Sequence, residues 1–160
     1  MSKKVKYNLG DIFKLPITNN MFGFGQILII QSPALFVGFY DLVSRNKIEI
    51  DILKEKKLFI KIMCGDLGFR KNEWFTIGNI PLNEKIKIPY FWGKDVLTDK
   101  LYIRKYKTTQ KNPLGLGLGF EDKSTTEKEI KEKKAQPDGL NGWKAAETIL
   151  KMELEKKGIL

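Results

Sequence analysis

Residues 9–30 constrain the fold of this chain most strongly, because they have the pattern of two β-strands joined by a polar turn. In the first strand Phe13, Leu15 and Ile17 fall on one face. Alternation with a period of two is typical of a strand that is buried on one side. The second strand contains residues 27–30, which are apolar on both faces and therefore indicate a position inside a sheet rather than at its edge.

Two further features of this hairpin indicate where its backbone bends. Asn19 and Asn20 form the turn, and asparagine tolerates the left-handed backbone that tight turns need. Gly23 and Gly25 interrupt the second strand, as glycines do at a bulge or a sharp bend. We expect a strongly coiled hairpin of this kind to nucleate a small antiparallel barrel or sandwich.

Five further segments have the composition of strands, and turn-forming residues lie between most of them. They are residues 34–43, 58–64, 74–82, 86–92 and 101–108. Residues 48–57 fit either a strand or the end of a short helix, and the pattern leaves both open. Several short strands separated by turns are typical of a sandwich or barrel. The sequence therefore predicts a mostly β fold, followed by a C-terminal amphipathic α-helix.

The composition of the chain changes after residue 112, and the change predicts three regions. Residues 1–112 are predicted to form the antiparallel β domain. Residues 113–140 begin with a repeating Leu-Gly pattern and continue with dense Lys and Glu, so we expect a flexible linker there. Residues 141–160 are predicted to contain the C-terminal helix.

The C-terminal helix, predicted over residues 142–157, has one apolar stripe. Trp143, Leu150 and Leu154 lie on this stripe at helical spacing. An apolar patch of that size is rarely left exposed on a soluble monomer. We therefore expect the helix to dock on the chain's own β domain, with Trp143 near one of the aromatic residues 90–92.

The net charge of +10 lies wholly within residues 1–120, which hold twenty basic and ten acidic residues. Almost all of the basic residues are lysines, whereas bidentate reading of phosphate or guanine favours arginine. A lysine-rich surface more often serves solubility than nucleic-acid recognition. A basic β-barrel module that binds nucleic acid nevertheless stays as the alternative function, because aromatic side chains could stack on bases.

The inventory of reactive side chains argues against catalysis. The sequence contains no histidine, which removes the usual general base at neutral pH and most transition-metal sites. The acidic residues are scattered at turns and strand ends, where carboxylates usually bind backbone N–H groups. We therefore expect no enzymatic activity, no metal and no cofactor.

Cysteine usage and hydropathy predict the compartment. The single cysteine, Cys64, cannot form an internal disulfide, and this suggests a reducing environment. The N-terminal lysines are not followed by an apolar segment of the kind found in signal peptides. The longest apolar run, residues 27–30, is too short to cross a bilayer. We expect a cytoplasmic protein with no membrane association.

Five residues are candidates for contact with a partner protein. Asp11 follows a glycine at a strand start, where a hydrogen bond to nearby backbone is the alternative role. Trp74 fits a core as well as a surface. Phe91 and Trp92 belong to a run of three aromatics that cannot all face one core, because strand neighbours alternate sides. Arg70 is included because aromatic and arginine side chains are the common anchors of interfaces.

Three short motifs carry a resemblance to a known family. They are GDIF at residues 10–13, FGQ at residues 24–26 and WxxIG at residues 74–78. In their order and spacing, residues from about 5 to about 106 resemble immunity protein family 26. The resemblance implies a mostly β fold and a role as an antidote in bacterial polymorphic-toxin systems. It further implies a non-catalytic protein that binds and neutralises a cognate protein toxin by stoichiometric protein–protein interaction.

Overall fold

The computed structural model describes residues 7–160, and the chain divides into two compact units. Unit 1 comprises Met1–Lys85 and Leu140–Leu160, and unit 2 comprises Ile86–Gly139. Unit 2 is therefore an insertion in the sequence of unit 1. Residues 1–6 of the predicted β domain, and the first residues of the family resemblance, lie outside the described residues.

The described residues form ten strands and four helices. In chain order they are β1 (Asp11–Thr18), β2 (Met21–Gln31), β3 (Ala34–Ser44), α1 (Asp51–Lys54), β4 (Leu58–Gly65), α2 (Leu67–Arg70), β5 (Phe75–Asn79), β6 (Phe91–Lys94), β7 (Leu101–Tyr106), β8 (Phe120–Ser124), α3 (Glu127–Glu132), β9 (Gln136–Pro137), β10 (Leu140–Asn141) and α4 (Trp143–Lys156). The mostly β prediction with a C-terminal helix is thus confirmed.

The sheet of unit 1 is built around the hairpin that the sequence predicts. Its strand order is β10-β4-β3-β2-β1-β5, and all neighbours are antiparallel except the parallel pair β10 and β4. Asn20 adopts left-handed backbone at φ +65° in the turn between β1 and β2. The pairing of β2 with β3 shifts register between Gly23 and Gly25, which confirms the predicted bend.

The helix α4 covers the first face of this sheet. Ala146, Leu150 and Leu154 are fully buried in an apolar cluster with side chains of β1, β2, β3 and β4. Trp143 is only partly buried at the margin of this cluster, and the aromatic residues 90–92 belong to unit 2. Docking of the helix on the chain's own sheet is therefore confirmed. Its anchors are the residues at i, i+4 and i+8 from Ala146 rather than Trp143, which is the first residue of the helix.

The second face of the same sheet carries a smaller apolar cluster. Its buried members are Ile12, Phe24, Tyr40 and Leu53. Leu53 belongs to α1, so residues 48–57 contain a short helix over this face instead of another strand. Ile12 lies in the second cluster and its neighbour Phe13 in the first, as the predicted alternation of β1 requires.

Unit 2 has a four-stranded sheet with the order β8-β7-β6-β9, in which Phe91 and Ile103 are buried. Residues 113–140, predicted to be a flexible linker, contribute β8, α3 and β9 to this unit. β8 is antiparallel to β7, and the Thr126 hydroxyl accepts a hydrogen bond from the Glu129 N–H at the start of α3. The charged sequence of residues 113–140 does not predict this ordered structure, because β8 is held in place by its pairing with β7.

Neither sheet closes into a barrel. Within residues 7–160, the edge strands β5 and β10 of the six-stranded sheet pair only with β1 and β4. Because α4 fills the first face, the sheet does not need to curl around its own core. The barrel alternative is therefore not supported, and the described fold is mostly β with two separate sheets.

Candidate interaction surface

Asp11, the first predicted contact residue, is buried and bonded locally. Its side chain is held from both sides: Oδ2 accepts from the Asn8 backbone N–H at 2.8 Å, and Oδ1 accepts from the Asn79 amide at 2.9 Å. Only 5% of the residue is exposed. The carboxylate therefore links the start of β1 to the end of β5. This local hydrogen bonding is the alternative role that the sequence predicts for Asp11.

The aromatic candidates Trp74 and Phe91 are also buried. Trp74 is 2% exposed, stacks on Phe13 with ring centroids 5.3 Å apart, and donates from Nε1 to the Glu147 carboxylate at 3.0 Å. Phe91 is fully buried and meets Tyr106 edge-on at 5.5 Å between centroids. Both rings are therefore part of the apolar cores of their units.

The two remaining candidates are accessible but belong to different units. Arg70 of unit 1 is half exposed, and its Nε lies 2.9 Å from Asp66 Oδ1. Trp92 of unit 2 is half-buried and stands opposite Ile103 in the pairing of β6 with β7. The five predicted residues are thus not assembled into one site within either unit.

A concave site opens instead on the second face of the unit 1 sheet, and we call it the basic pocket. Its cavity of about 250 Å³ is lined by Lys14, Phe22, Phe24, Arg45, Asn46, Lys47, Ile48 and Ile77. Lys14 and Phe24 share this face because they are direct partners in the pairing of β1 with β2. The turn after β3 supplies Arg45 and Lys47, and it is fixed by Ser44 Oγ, which accepts from the Asn46 N–H and donates to the Asn46 carbonyl.

The charge of the basic pocket is not balanced by neighbouring carboxylates. Among residues 7–160, no carboxylate forms an ion pair with Lys14, Arg45 or Lys47. The Lys14 ammonium lies instead over aromatic faces, 4.5 Å from the ring centroid of Phe22 and 5.7 Å from that of Phe75. A cation held by ring quadrupoles keeps its positive charge available. The pocket can therefore receive a carboxylate beside an apolar group.

Sequence reasoning missed this pocket, although its components were visible. Lys14 lies on the face of β1 that also carries Ile12, and Arg45 and Lys47 lie in the turn that follows β3. The signal in the sequence was the set of basic residues Lys14, Arg45 and Lys47. They lie in or next to strands whose second face carries Phe22 and Phe24. The turn reaches over β2 only when β3 pairs with β2 and the pairing shifts register. A local sequence pattern does not predict this pairing.

A second groove of unit 1 lies beside Arg70 and measures about 380 Å³. The Asp66 carboxylate at its wall is already engaged, because it pairs with Arg70 and accepts from the Tyr7 hydroxyl at 2.6 Å. Burial and this hydrogen bond raise the pKa of Tyr7. The groove has one half-exposed cation and an otherwise largely apolar wall, so it is a weaker candidate than the basic pocket.

The charged side chains clustered around Arg104 in unit 2 are all paired with one another. Arg104 makes a bidentate pair with Asp122, at 2.7 and 2.9 Å, and a third bond to Asp138 at 2.9 Å. Asp138 also accepts from the Tyr102 hydroxyl. Burial, followed by this hydrogen bond, raises the pKa of Tyr102 to about 12. The cluster links β7, β8 and the chain after β9. Its charged groups are therefore engaged in holding these segments together.

The cysteine and the metal-ligating residue types of the described residues can be assessed directly. Burial raises the pKa of the Cys64 thiol to about 12, which keeps it protonated and unreactive. Within residues 7–160, no three His, Cys, Asp or Glu side chains are arranged to hold a metal ion. Across the same residues, every helix is too short or too polar to cross a membrane.

Comparison with protein-family models gives a match. A family model described as Immunity protein 26 matches residues 8–113, which is more than half of the chain and includes every residue of the basic pocket. The match ends before β8 and does not include α4. No curated protein and no solved structure matches the chain.

Proposed function

The chain belongs to the immunity protein 26 family, and on that premise we propose that it neutralises a cognate protein toxin by forming a one-to-one complex with it. The complex involves no turnover, since inhibition by occlusion requires only a stable interface. The proposal sets the protein in the cytoplasm of a bacterial cell that encodes a polymorphic toxin.

The observation that carries this proposal is the basic pocket. It combines three cations without carboxylate partners and an aromatic floor on one face of a rigid sheet. Interface anchors are typically aromatic or arginine side chains in well-packed concave sites. We infer that a toxin segment with an acidic side chain beside an apolar one enters the pocket. Opposite charges on the two partners would also accelerate association.

The pocket alone is smaller than a stable interface, which buries on the order of 1,600 Å² in total. Phe75 is 44% exposed beside Lys14 and extends the surface along β5. Arg70 and Trp92 are accessible and stay as candidates for additional contact. The buried candidates contribute to binding indirectly, by stabilising the fold that supports this surface. They are Asp11, Trp74 and Phe91.

Nucleic-acid binding is the second candidate function, and the same pocket is the observation that favours it. Cations beside exposed aromatic faces also suit single-stranded nucleic acid, where bases stack on rings. Two features favour a protein partner instead: the family, and a concave site that admits one side chain rather than a groove that follows a phosphate backbone. Steep weakening of oligonucleotide binding with salt would support the alternative.

The test of the proposal is co-expression with the product of the neighbouring toxin gene. We expect the two proteins to co-purify, calorimetry to give one-to-one stoichiometry, and the toxin to lose its activity in proportion to the bound fraction. Residual toxin activity at saturation, or neutralisation by catalytic amounts of this protein, would contradict stoichiometric inhibition. Binding of single-stranded oligonucleotides with comparable affinity would favour the second function.

A further inference from the structure

The turn between β6 and β7 exposes two adjacent aliphatic side chains almost completely. Val96 and Leu97 are each 95% exposed, whereas the next most exposed large apolar residue described, Leu140, is 59% exposed. Single exposed apolar residues are common on protein surfaces. Two adjacent ones at the tip of a hairpin contribute nothing to the folded core, so folding does not explain them.

The backbone of this turn is fixed by its own hydrogen bonds. The Asp95 carboxylate accepts from the backbone N–H groups of Leu97 and Thr98, both at 2.9 Å. The Asp95 N–H donates to the Lys100 carbonyl at 2.8 Å, and the Asp99 N–H donates to the Asp95 carbonyl at 2.9 Å. The two aliphatic side chains are therefore presented on a preorganised backbone, which lowers the entropic cost of binding.

The charges around the tip cancel. Lys94 lies 3.4 Å from Asp99 in an ion pair, the Asp95 carboxylate is occupied by backbone donors, and Lys100 balances the remaining negative charge. Attraction to anionic lipids requires a cluster of basic residues, which this neutral tip lacks. A valine and a leucine also have far fewer carbons than one myristoyl chain, which itself gives only marginal membrane binding.

We propose that Val96 and Leu97 form an apolar anchor that inserts into an apolar pocket on the toxin, an inference that rests on the proposed function. The partner is a protein because a neutral, rigid tip of this size matches a preformed apolar pocket and not a charged surface. Insertion into the basic pocket of a second copy is disfavoured because that pocket is lined by uncompensated cations.

The test is a titration of the toxin with the full chain and with the double variant Val96→Ser/Leu97→Ser. Both side chains are exposed, so we expect the variant to unfold at the same temperature as the wild type. We expect its affinity for the toxin to fall about tenfold or more, since full burial of one aliphatic side chain accounts for at least that factor. The matched control Leu9→Ser removes a 54% exposed leucine of unit 1 and should change the affinity less than about twofold.

The possible outcomes separate the inference from the proposed function. Wild type and double variant that bind the toxin equally would overturn the anchor and leave the toxin-binding function standing. A wild type that does not bind the toxin at all would overturn both. Binding to vesicles of phosphatidylcholine and phosphatidylglycerol that is lost in the double variant would overturn the protein-pocket assignment in favour of lipid. Self-association that the double variant abolishes would overturn it in favour of a second copy.

Discussion

The two faces of the six-stranded sheet in unit 1 are closed in different ways. The first face is covered by α4 and buries a large apolar cluster in which Leu150 and Leu154 are fully enclosed. The second face is covered by the segment around α1 and buries a smaller cluster that gives way to the basic pocket. We infer that stability is concentrated on the first face and recognition on the second.

The largest expected effect comes from truncating the first face. Leu150→Ala should lower the free energy of unfolding by about 3 kcal/mol, because it deletes a fully buried side chain and leaves a cavity. The matched control is Leu42→Ala, a partly buried leucine of the second face, for which we expect a loss of about 1 kcal/mol. Urea unfolding measures the loss of unfolding free energy in each variant. Equal losses would contradict the proposed difference in stability between the two faces.

A smaller effect should come from adding one methyl group to the first face. A Cβ at Gly25 would lie 2.6 Å from the Phe13 ring and 2.8 Å from the Gly38 carbonyl oxygen. Gly25→Ala should therefore cost about 2 kcal/mol through overpacking. Gly65→Ala is the control, because the nearest atom to its added methyl is 4.0 Å away. A tolerated Gly25→Ala would show that the first face is loosely packed.

The hydrogen bond between Trp74 and Glu147 links the sheet side of the first face to α4. Trp74→Phe keeps most of the ring but removes the Nε1–H donor that lies 3.0 Å from the carboxylate. We expect a loss of about 1.5 kcal/mol, as for hydrogen bonds to charged groups. Repeating the change in a Glu147→Ala background, which removes the acceptor oxygen, completes a double-mutant cycle. A coupling energy near zero would show that the tryptophan acts by packing alone.

The smallest expected effect concerns Asp41 of β3. Its carboxylate pairs with lysines that follow α1 and α4, the helices that cover the two faces of the sheet. Its carboxylate lies 2.8 Å from Lys56, after α1, and 3.5 Å from Lys157, after α4. The hydrogen bond from Lys56 lowers the pKa of Asp41. A lowered pKa stabilises the fold above the unfolded value of about 4 and loses that contribution as the pH falls through the folded value.

For these partly exposed groups we expect less than about 1 kcal/mol. Comparison of wild type and Asp41→Asn by urea unfolding should show a difference near neutral pH that shrinks in acid. A difference that grows as the pH falls would contradict the assigned direction.

The first face could largely be predicted from the sequence, because its signals are local. Alternation at Phe13 and Leu15 indicated β1, and the spacing of Leu150 and Leu154 indicated a helix with one apolar stripe. The docking of that helix followed from the cost of leaving the stripe exposed. Trp143, at the start of the helix, packs only partly against the cluster, whereas Leu150 and Leu154 further along are fully buried.

The second face and unit 2 could not be predicted to the same extent, because their order depends on contacts between distant residues. The basic pocket needs the turn at Arg45 to fold back over β2, and β8 is ordered through β7. Trp74 and Phe91 were plausible contact residues by type, yet both are buried. Residue type alone does not distinguish an interface anchor from a core side chain, since both are large and apolar.

The most direct test of the account is the affinity of the toxin for the double variant Lys14→Glu/Arg45→Glu. The matched control is Lys107→Glu/Lys111→Glu, which makes the same charge change at two exposed lysines of unit 2. We expect the pocket variant to bind about 100-fold more weakly than the control, since charge reversal at an interface costs several kcal/mol. Loss of the Lys14 contacts with the Phe22 and Phe75 rings should lower its unfolding free energy by only about 1 kcal/mol. Equal affinities of the two variants for the toxin would contradict recognition by the second face.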